Sequence, residues 1–210
     1  MYKKYIKRVL DILFSSLFLI ILSPLFLVIM LLICLDSKGG PFFRQERIGR
    51  NEKVFLIYKF RSMTENSEHT GSGVYSDEND PRVTRMGRLL RRHSLDELPQ
   101  FLNVLKGDMS FIGPRPPLTY HPWPLSQYTQ EQRKMFTVRP GLTGWAQING
   151  RRSIDWNERI CLNNWYIDHL TFLLDGRIVW KTIGAVVTSD HYTNSGPTVP
   201  PPPRPDPSTD

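Results

Sequence analysis

The segment His93-Ser94-Leu95-Asp96-Glu97-Leu98-Pro99-Gln100 carries two adjacent carboxylates, Asp96 and Glu97, at the start of an apolar period. Ser94 followed three residues later by Glu97 has the capping-box form, with Ser94 as N-cap. Leu95, Leu98, Phe101, Leu102 and Leu105 recur at three- and four-residue steps, which predicts a helix burying one face. Asp96 then falls in the first turn, beside unpaired N–H groups and at the positive end of the helix dipole. A carboxylate there is expected to stay ionised, and a phosphate is welcome at the same place. An ionised Asp that meets a phosphate beside a second acid suits attack on phosphorus or the holding of a metal ion. The same two acids also serve plain helix capping, so their meaning rests on their surroundings.

Those surroundings are basic. A strand ending in Tyr58-Lys59-Phe60-Arg61 puts Lys59 and Arg61 two apart, on one face of a sheet. Gly113-Pro114-Arg115-Pro116-Pro117 holds Arg115 in a stiff segment, and Arg139-Pro140-Gly141 repeats the device on a shorter scale. The planar guanidinium fork suits bidentate phosphate contacts, although either arginine serves equally to cap a turn or pair with a carboxylate. The stretch from Arg82 to Arg92 reads as a helix with Arg85, Arg88, Arg91 and Arg92 on one face. That is the pattern of a solvated stripe, yet it also brings positive charge to the acidic pair and to a membrane surface.

The elements that must position these residues begin with a membrane segment. Lys3, Lys4, Lys7 and Arg8 precede Val9 to Leu35, an apolar run whose one charge is Asp11. Asp11 stands four residues after Lys7 and three after Arg8, close enough to pair with them. The run would reach about 40 Å as a helix, against a hydrocarbon core of about 30 Å. It is too long for a cleaved signal peptide. Ser23-Pro24 breaks it near the middle, and neither half is long enough to cross alone. Lys38, Arg44, Arg47, Arg50 and Lys53 follow, so basic residues on both flanks draw both ends to the cytoplasmic side. A helix that dips in and returns satisfies that pull, while a kinked single span is the other reading.

Beyond it, Phe42 to Ile48 and Lys53 to Phe60 flank Gly49-Arg50-Asn51-Glu52 as a β-hairpin. Thr64 to Pro81 lacks periodicity and is a loop, with Asp77 and Asp80 expected to be solvated. Ser153 to His169 and Leu173 to Val187 read as two helices rich in Trp and Tyr, residues that favour a membrane–water boundary or a core. Asp175, near the start of the second, is a cap or a site residue. Residues 191–210 are dominated by proline and form a disordered or polyproline-like tail.

The chain has 210 residues, with 27 Lys and Arg against 20 Asp and Glu, for a net charge of +7. This balance suits phosphorylated substrates, nucleic acid or an anionic membrane. Cys34 and Cys161 offer neither a disulfide framework nor a metal pair, as in a reducing compartment. No phosphate-binding GxxxxGK[ST], strand-linked GxGxxG or HExxH is present, and no Asp-x-Asp pair follows a strand. The basic residues do not interleave with aromatics in a nucleic-acid motif.

Four stretches carry a resemblance to a known family. They are Tyr58-Lys59-Phe60-Arg61-Ser62-Met63, Ser94-Leu95-Asp96-Glu97-Leu98-Pro99-Gln100, Gly107-Asp108-Met109-Ser110-Phe111-Ile112-Gly113-Pro114-Arg115-Pro116 and Val138-Arg139-Pro140-Gly141-Leu142-Thr143-Gly144. In their order and length they resemble the monotopic phosphoglycosyl transferases, the bacterial sugar transferases that start glycan assembly on a lipid carrier. The likeness runs from the N-terminus to about Ser189.

The resemblance implies an α+β fold: a re-entrant membrane helix broken at Ser23 and Pro24 over residues 1–36, then a small cytosolic catalytic domain over residues 37–190 with a short hairpin and interfacial amphipathic helices. It implies transfer of a sugar 1-phosphate from a UDP-sugar to polyprenyl phosphate, with UMP released and Mg²⁺ required. Asp96 maps onto the family's nucleophile and a metal ligand, with Glu97 as its catalytic neighbour. Lys59, Arg115, Arg139 and Asp175 map onto positions around the substrate. The implied location is the cytoplasmic face of the bacterial inner membrane, with membrane lipid as a partner and no nucleic acid; a homodimer is left open. The competing class is a membrane-attached module that binds anionic lipid or nucleic acid without catalysis.

Overall fold

The computed structural model describes residues 1–67, 76, 80–150 and 154–187. Helix and sheet are mixed, as an α+β chain requires. A π-helical turn (Tyr2–Ile6) leads into α1 (Lys7–Ile21), then α2 (Ser23–Asp36), β1 (Phe42–Ile48) and β2 (Val54–Phe60). After a loop come α3 (Arg85–Arg92), α4 (Gln100–Lys106), β3 (Ser110–Ile112), α5 (Gln130–Arg133), β4 (Gly141–Thr143), α6 (Trp145–Gly150), α7 (Trp156–Asp168) and α8 (Phe172–Val187).

The apolar N-terminal run forms two helical limbs bent by 61° at the expected Ser-Pro break. Leu22 leaves helical geometry, the Ser23 hydroxyl donates to the Ile20 carbonyl at 2.8 Å, and Pro24 occupies the first turn of α2. Proline is tolerated there because its missing N–H would have had no helical partner. Among the described residues no single helix is long and apolar enough to cross a membrane; only this bent pair has the required length and composition.

Each limb has one face on the rest of the protein and one face bare. On α1, Phe18 stacks on Phe101 of α4 with ring centroids 5.2 Å apart, and Phe14 and Phe18 meet Phe111 edge-on. On α2, Ile29 and Ile33 form a buried cluster with Phe60 and Leu90. Val9, Leu13, Leu17, Ile20, Ile21, Leu27, Leu31 and Leu35 remain exposed. Asp11 turns inward: it is buried and accepts hydrogen bonds from Ser110 Oγ and the Phe111 N–H at 3.0 and 3.1 Å. Its main partners are therefore on β3 rather than among its helical neighbours. Arg8 donates to the Val104 and Leu105 carbonyls, closing the C-terminus of α4. Arg61 does the same for the end of α2, through the Ser37, Lys38 and Gly39 carbonyls.

The hairpin forms as expected, antiparallel from Phe42↔Phe60 to Ile48↔Val54. Its turn places Asn51 and Glu52 at positive φ without a glycine. β3 and β4 pair in parallel, Ser110 with Gly141 and Ile112 with Thr143. The backbones behind them approach so closely that a Cβ on Gly141 would stand 2.1 Å from the Gly113 nitrogen. Asn103, fully buried, joins α4 to β2 by accepting from the Tyr58 N–H at 2.9 Å and donating to the Leu56 carbonyl at 2.7 Å. The two late helices lie close to their expected bounds, with Asp155 capping α7 through the Glu158 N–H.

Asp80 departs from expectation. It is buried and paired with Arg82, Oδ2 to Nη2 at 2.6 Å, so it is not a solvated loop acid. Its pKa is held below the carboxylate range, chiefly by the Arg82 hydrogen bonds. Asp77 and the proline-rich tail lie outside the described residues.

Candidate active site

The acidic segment is built differently from the predicted capped helix. Ser94 adopts a left-handed backbone (φ 54°) and makes no side-chain cap. A capping serine needs extended backbone to aim its oxygen at the first-turn N–H groups, and the tight link from α3 through His93 denies it that geometry. Leu95–Glu97 instead form one 3₁₀ turn, and helical backbone continues through Leu98 and Pro99 into α4. The apolar period still does its work: Leu95 and Leu98 pack on the cluster around Phe60 and Leu90, and Phe101 on Phe18.

Glu97 is the engaged acid. Its Oε1 receives Lys59 Nζ at 2.8 Å and Arg115 Nη2 at 3.0 Å, all three side chains being mostly buried. Lys59 arrives from the end of β2. Arg115 arrives from the proline segment, which is held by hydrogen bonds from the Ile48 N–H of β1 to the Pro117 carbonyl and from the Gly141 N–H of β4 to the Pro114 carbonyl. Burial raises the Glu97 pKa, but Lys59 and Arg115 outweigh it and hold the carboxyl well below its usual range.

Asp96 is buried, and among the described residues nothing donates a hydrogen bond to its carboxylate. Burial lifts its pKa above the ordinary aspartate value and the neighbouring Glu97 charge adds to the rise, against the pull of Lys59, Arg91 and Arg115. The expected stabilisation of Asp96 by first-turn N–H groups is thus corrected: a single short turn supplies no N–H to its carboxylate, and desolvation raises its pKa.

Arg91 was hidden in the basic stripe. Arg85, Arg88 and Arg92 are exposed, whereas Arg91 turns inward and donates to Ser62 Oγ at 2.9 Å and Ser76 Oγ at 2.7 Å. Gly87 makes this possible, since a Cβ there would stand 1.9 Å from the Ser62 carbonyl oxygen. Leucines at 89 and 90 give no hint of which arginine faces in; the glycine one turn before Arg91 was the available signal.

Arg139 and Asp175 gather elsewhere, around the base of α1. Arg139 Nε donates to the Gly107 carbonyl at 2.9 Å, with Arg8 and Arg50 among its charged neighbours. Asp175 is buried and accepts from Lys7 Nζ at 2.6 Å, Tyr166 OH at 2.7 Å and Tyr2 OH at 2.5 Å, tying the N-terminus to α7 and α8. Ser23 and Pro24 lie at the bend between α1 and α2.

Among the described residues no three His, Cys, Asp or Glu side chains come together as a cage for a metal. Mg²⁺ does not require one: it uses one or two carboxylates and fills its shell with water and substrate phosphate. Asp96 fits that manner of binding, because no described donor occupies its oxygens.

Comparison with known proteins places the chain in a family. The family described as "Bacterial sugar transferase" matches residues 2–189, and the chain belongs to it. Within that family it is a phosphoglycosyl transferase. An uncharacterized sugar transferase of Bacillus subtilis (strain 168), EpsL, is 40% identical over 203 residues, covering 91% of this chain and 97% of that protein. The UDP-N-acetylgalactosamine-undecaprenyl-phosphate N-acetylgalactosaminephosphotransferase of Aeromonas hydrophila is 42% identical over 190 residues, covering 88% of this chain and 44% of its own. The undecaprenyl-phosphate glucose phosphotransferase of Komagataeibacter xylinus is 42% identical over 185 residues, covering 84% and 35%. The chain thus spans nearly all of the first and less than half of the other two.

The two acids differ in a way that thermal unfolding can read. The folded pKa of Asp96 lies above its unfolded value, so its ionisation weakens the fold as pH rises through that range. Asp96→Asn should therefore raise the unfolding midpoint at pH 7.5. Glu97 has the opposite sign and stabilises once ionised. Glu97→Gln strips the shared anion from Lys59 and Arg115 and should cost about 2–3 kcal/mol, or roughly 4–12 °C. Equal shifts in the same direction would contradict this division.

Proposed function

We propose that the protein transfers a sugar 1-phosphate from a UDP-sugar to polyprenyl phosphate, releasing UMP and starting the assembly of a bacterial polysaccharide or glycoprotein glycan. The observation that carries this reading is the buried, unengaged Asp96 beside a Glu97 fixed by Lys59 and Arg115. It is supported by relatives named as undecaprenyl-phosphate sugar phosphotransferases.

In this reading an Asp96 carboxylate oxygen attacks the sugar-proximal phosphorus. An acyl-phosphate bond forms, the diphosphate P–O bond breaks, and UMP leaves with the bonding electrons. An oxygen of polyprenyl phosphate then attacks the same phosphorus, the acyl-phosphate bond breaks, and Asp96 returns as carboxylate. Lys59, Arg91 and Arg115 supply positive charge where the phosphoryl oxygens gather it. A raised pKa makes Asp96 a better nucleophile once ionised, and burial strips it of water. Mg²⁺, held by Asp96 and substrate phosphate, would supply further charge at the diphosphate.

The bare faces of α1 and α2 support insertion into one leaflet. A second bare face on α8, comprising Phe172, Leu173, Val179, Trp180 and Ile183, supports contact at the interface. A re-entrant segment at the cytoplasmic face of the inner membrane would place the active site where a soluble nucleotide and a lipid phosphate both reach it.

Two experiments test this. Purified protein with Mg²⁺, polyprenyl phosphate and a panel of UDP-galactose, UDP-glucose, UDP-N-acetylglucosamine and a UDP-diamino-sugar should release UMP from at least one donor, and Asp96→Asn should fall to background. The acid limb of kcat/KM should lie above the ordinary aspartate range, reflecting the raised Asp96 pKa. A membrane-attached binding module releases no UMP from any donor. For topology, single cysteines placed at positions 3 and 200 of a variant lacking Cys34 and Cys161 should both resist an impermeant thiol reagent in intact cells; labelling of one end alone means a span.

A further inference from the structure

We infer that Gln100 is a phosphate-contacting residue of the active site. This rests on the phosphoglycosyl transfer proposed above and adds a donor to it. Gln100 is 2% exposed, and its Nε2 has no hydrogen-bond partner among the described residues. An orphaned buried donor costs about 1–3 kcal/mol, so a fold that keeps one does so against its own stability.

Its place in the chain says what the donor faces. From the 3₁₀ turn at Leu95–Glu97 through Leu98 and Pro99 into α4 the backbone keeps i→i−3 hydrogen bonds, Leu98 to Leu95 and Phe101 to Leu98, so Gln100 stands three residues after Glu97 and over it, with Asp96 the residue before Glu97. Helical side chains lean toward the N-terminus, which carries the Gln100 amide back over the turn that holds the two acids. The neighbours on this face are fixed by β2. Asn103, one turn onward, is bonded to Leu56 and Tyr58, and Glu97, one turn back, to Lys59. Gln100 lies between these two tethered residues, and its own Nε2 has no partner among the described residues.

Beside an acid that also lacks a described donor, an amide N–H without an acceptor fits an oxygen brought by the substrate. The diphosphate of the donor, or the phosphoryl group once carried on Asp96, provides that oxygen. Gln100 Nε2 donates to it, and its buried, neutral amide adds a directed hydrogen bond to the charge supplied by Lys59, Arg91 and Arg115. No proton or electron is transferred by this residue.

The test uses Gln100→Met, which keeps the length and apolar stem and removes the donor, with Gln100→Glu as a second variant. Binding of UDP with Mg²⁺ is measured by calorimetry, UMP release by steady-state kinetics and unfolding by calorimetric scanning. We expect Gln100→Met to lower kcat/KM about 100-fold, the usual loss for one preorganised donor, and to weaken UDP binding, while its unfolding midpoint stays the same or rises. Gln100→Glu, with an anion facing the phosphate, should be at least as impaired. Wild-type binding and turnover in Gln100→Met overturn the inference and leave the proposed function intact. A fall in the midpoint matching the loss of activity also overturns it, by making Gln100 a packing residue. If wild type releases no UMP from any donor, the proposed function fails, and the binding measurement alone then decides Gln100: undiminished UDP affinity in Gln100→Met, or none in wild type, overturns it.

Discussion

Two adjacent carboxylates cannot both be buried and charged without compensation, and the structure answers by treating them differently. Glu97 shares one oxygen between Lys59 and Arg115, so its negative charge is balanced and its position fixed. Asp96 is left buried with no described hydrogen-bond donor and with its ionised form disfavoured. Each part of the surrounding fold supplies one element of this arrangement. The hairpin delivers Lys59, the proline segment laid between β1 and β4 delivers Arg115, and α3, pressed on Ser62 through Gly87, delivers Arg91.

The apolar limbs are part of that scaffold rather than a tether added to it. α1 runs along α4 through Phe18 and Phe101, and Arg8 closes the C-terminus of the same helix. α2 packs on Phe60 and Leu90, immediately beside Lys59 and Arg91, and Leu95 and Leu98 complete that cluster. Asp11 holds α1 to β3, while Asp175 holds Lys7 and Tyr2 to α8. The segment with the outward apolar face is thus the one on which the acidic turn is seated. Whatever fixes the limbs fixes the site with them.

Much of this was legible in the sequence, wherever a local rule and the tertiary structure ask for the same thing. The hairpin has strong strands around a short turn, and its expected bounds match to within a residue. Ser23-Pro24 breaks the apolar run because proline has no N–H to give, whatever packs nearby. The acid pair stood out by composition alone. What failed was local rules applied where longer-range contacts decide. Ser94 and Glu97 satisfy the capping pattern, but α3 ends so close that Ser94 is forced into left-handed backbone. The four arginines of α3 look alike in sequence, and only Gly87 against the Ser62 carbonyl selects Arg91. Asp80 lies in a stretch with no period, yet Arg82 two residues away buries it. Arg139 and Asp175 have partners near the base of α1, far away in sequence, which no spacing reveals.

The claim on which the account turns is that Asp96 itself receives the phosphoryl group. Incubating the wild-type protein with a UDP-sugar labelled in both the sugar and its proximal phosphate, without polyprenyl phosphate, tests it directly by mass spectrometry of the digested protein. The account predicts at most one doubly labelled adduct per chain, on the peptide containing Asp96, with a matching release of UMP and discharge when polyprenyl phosphate is added. Turnover through a ternary complex with no adduct on that peptide would contradict it and reduce Asp96 to a ligand of the metal.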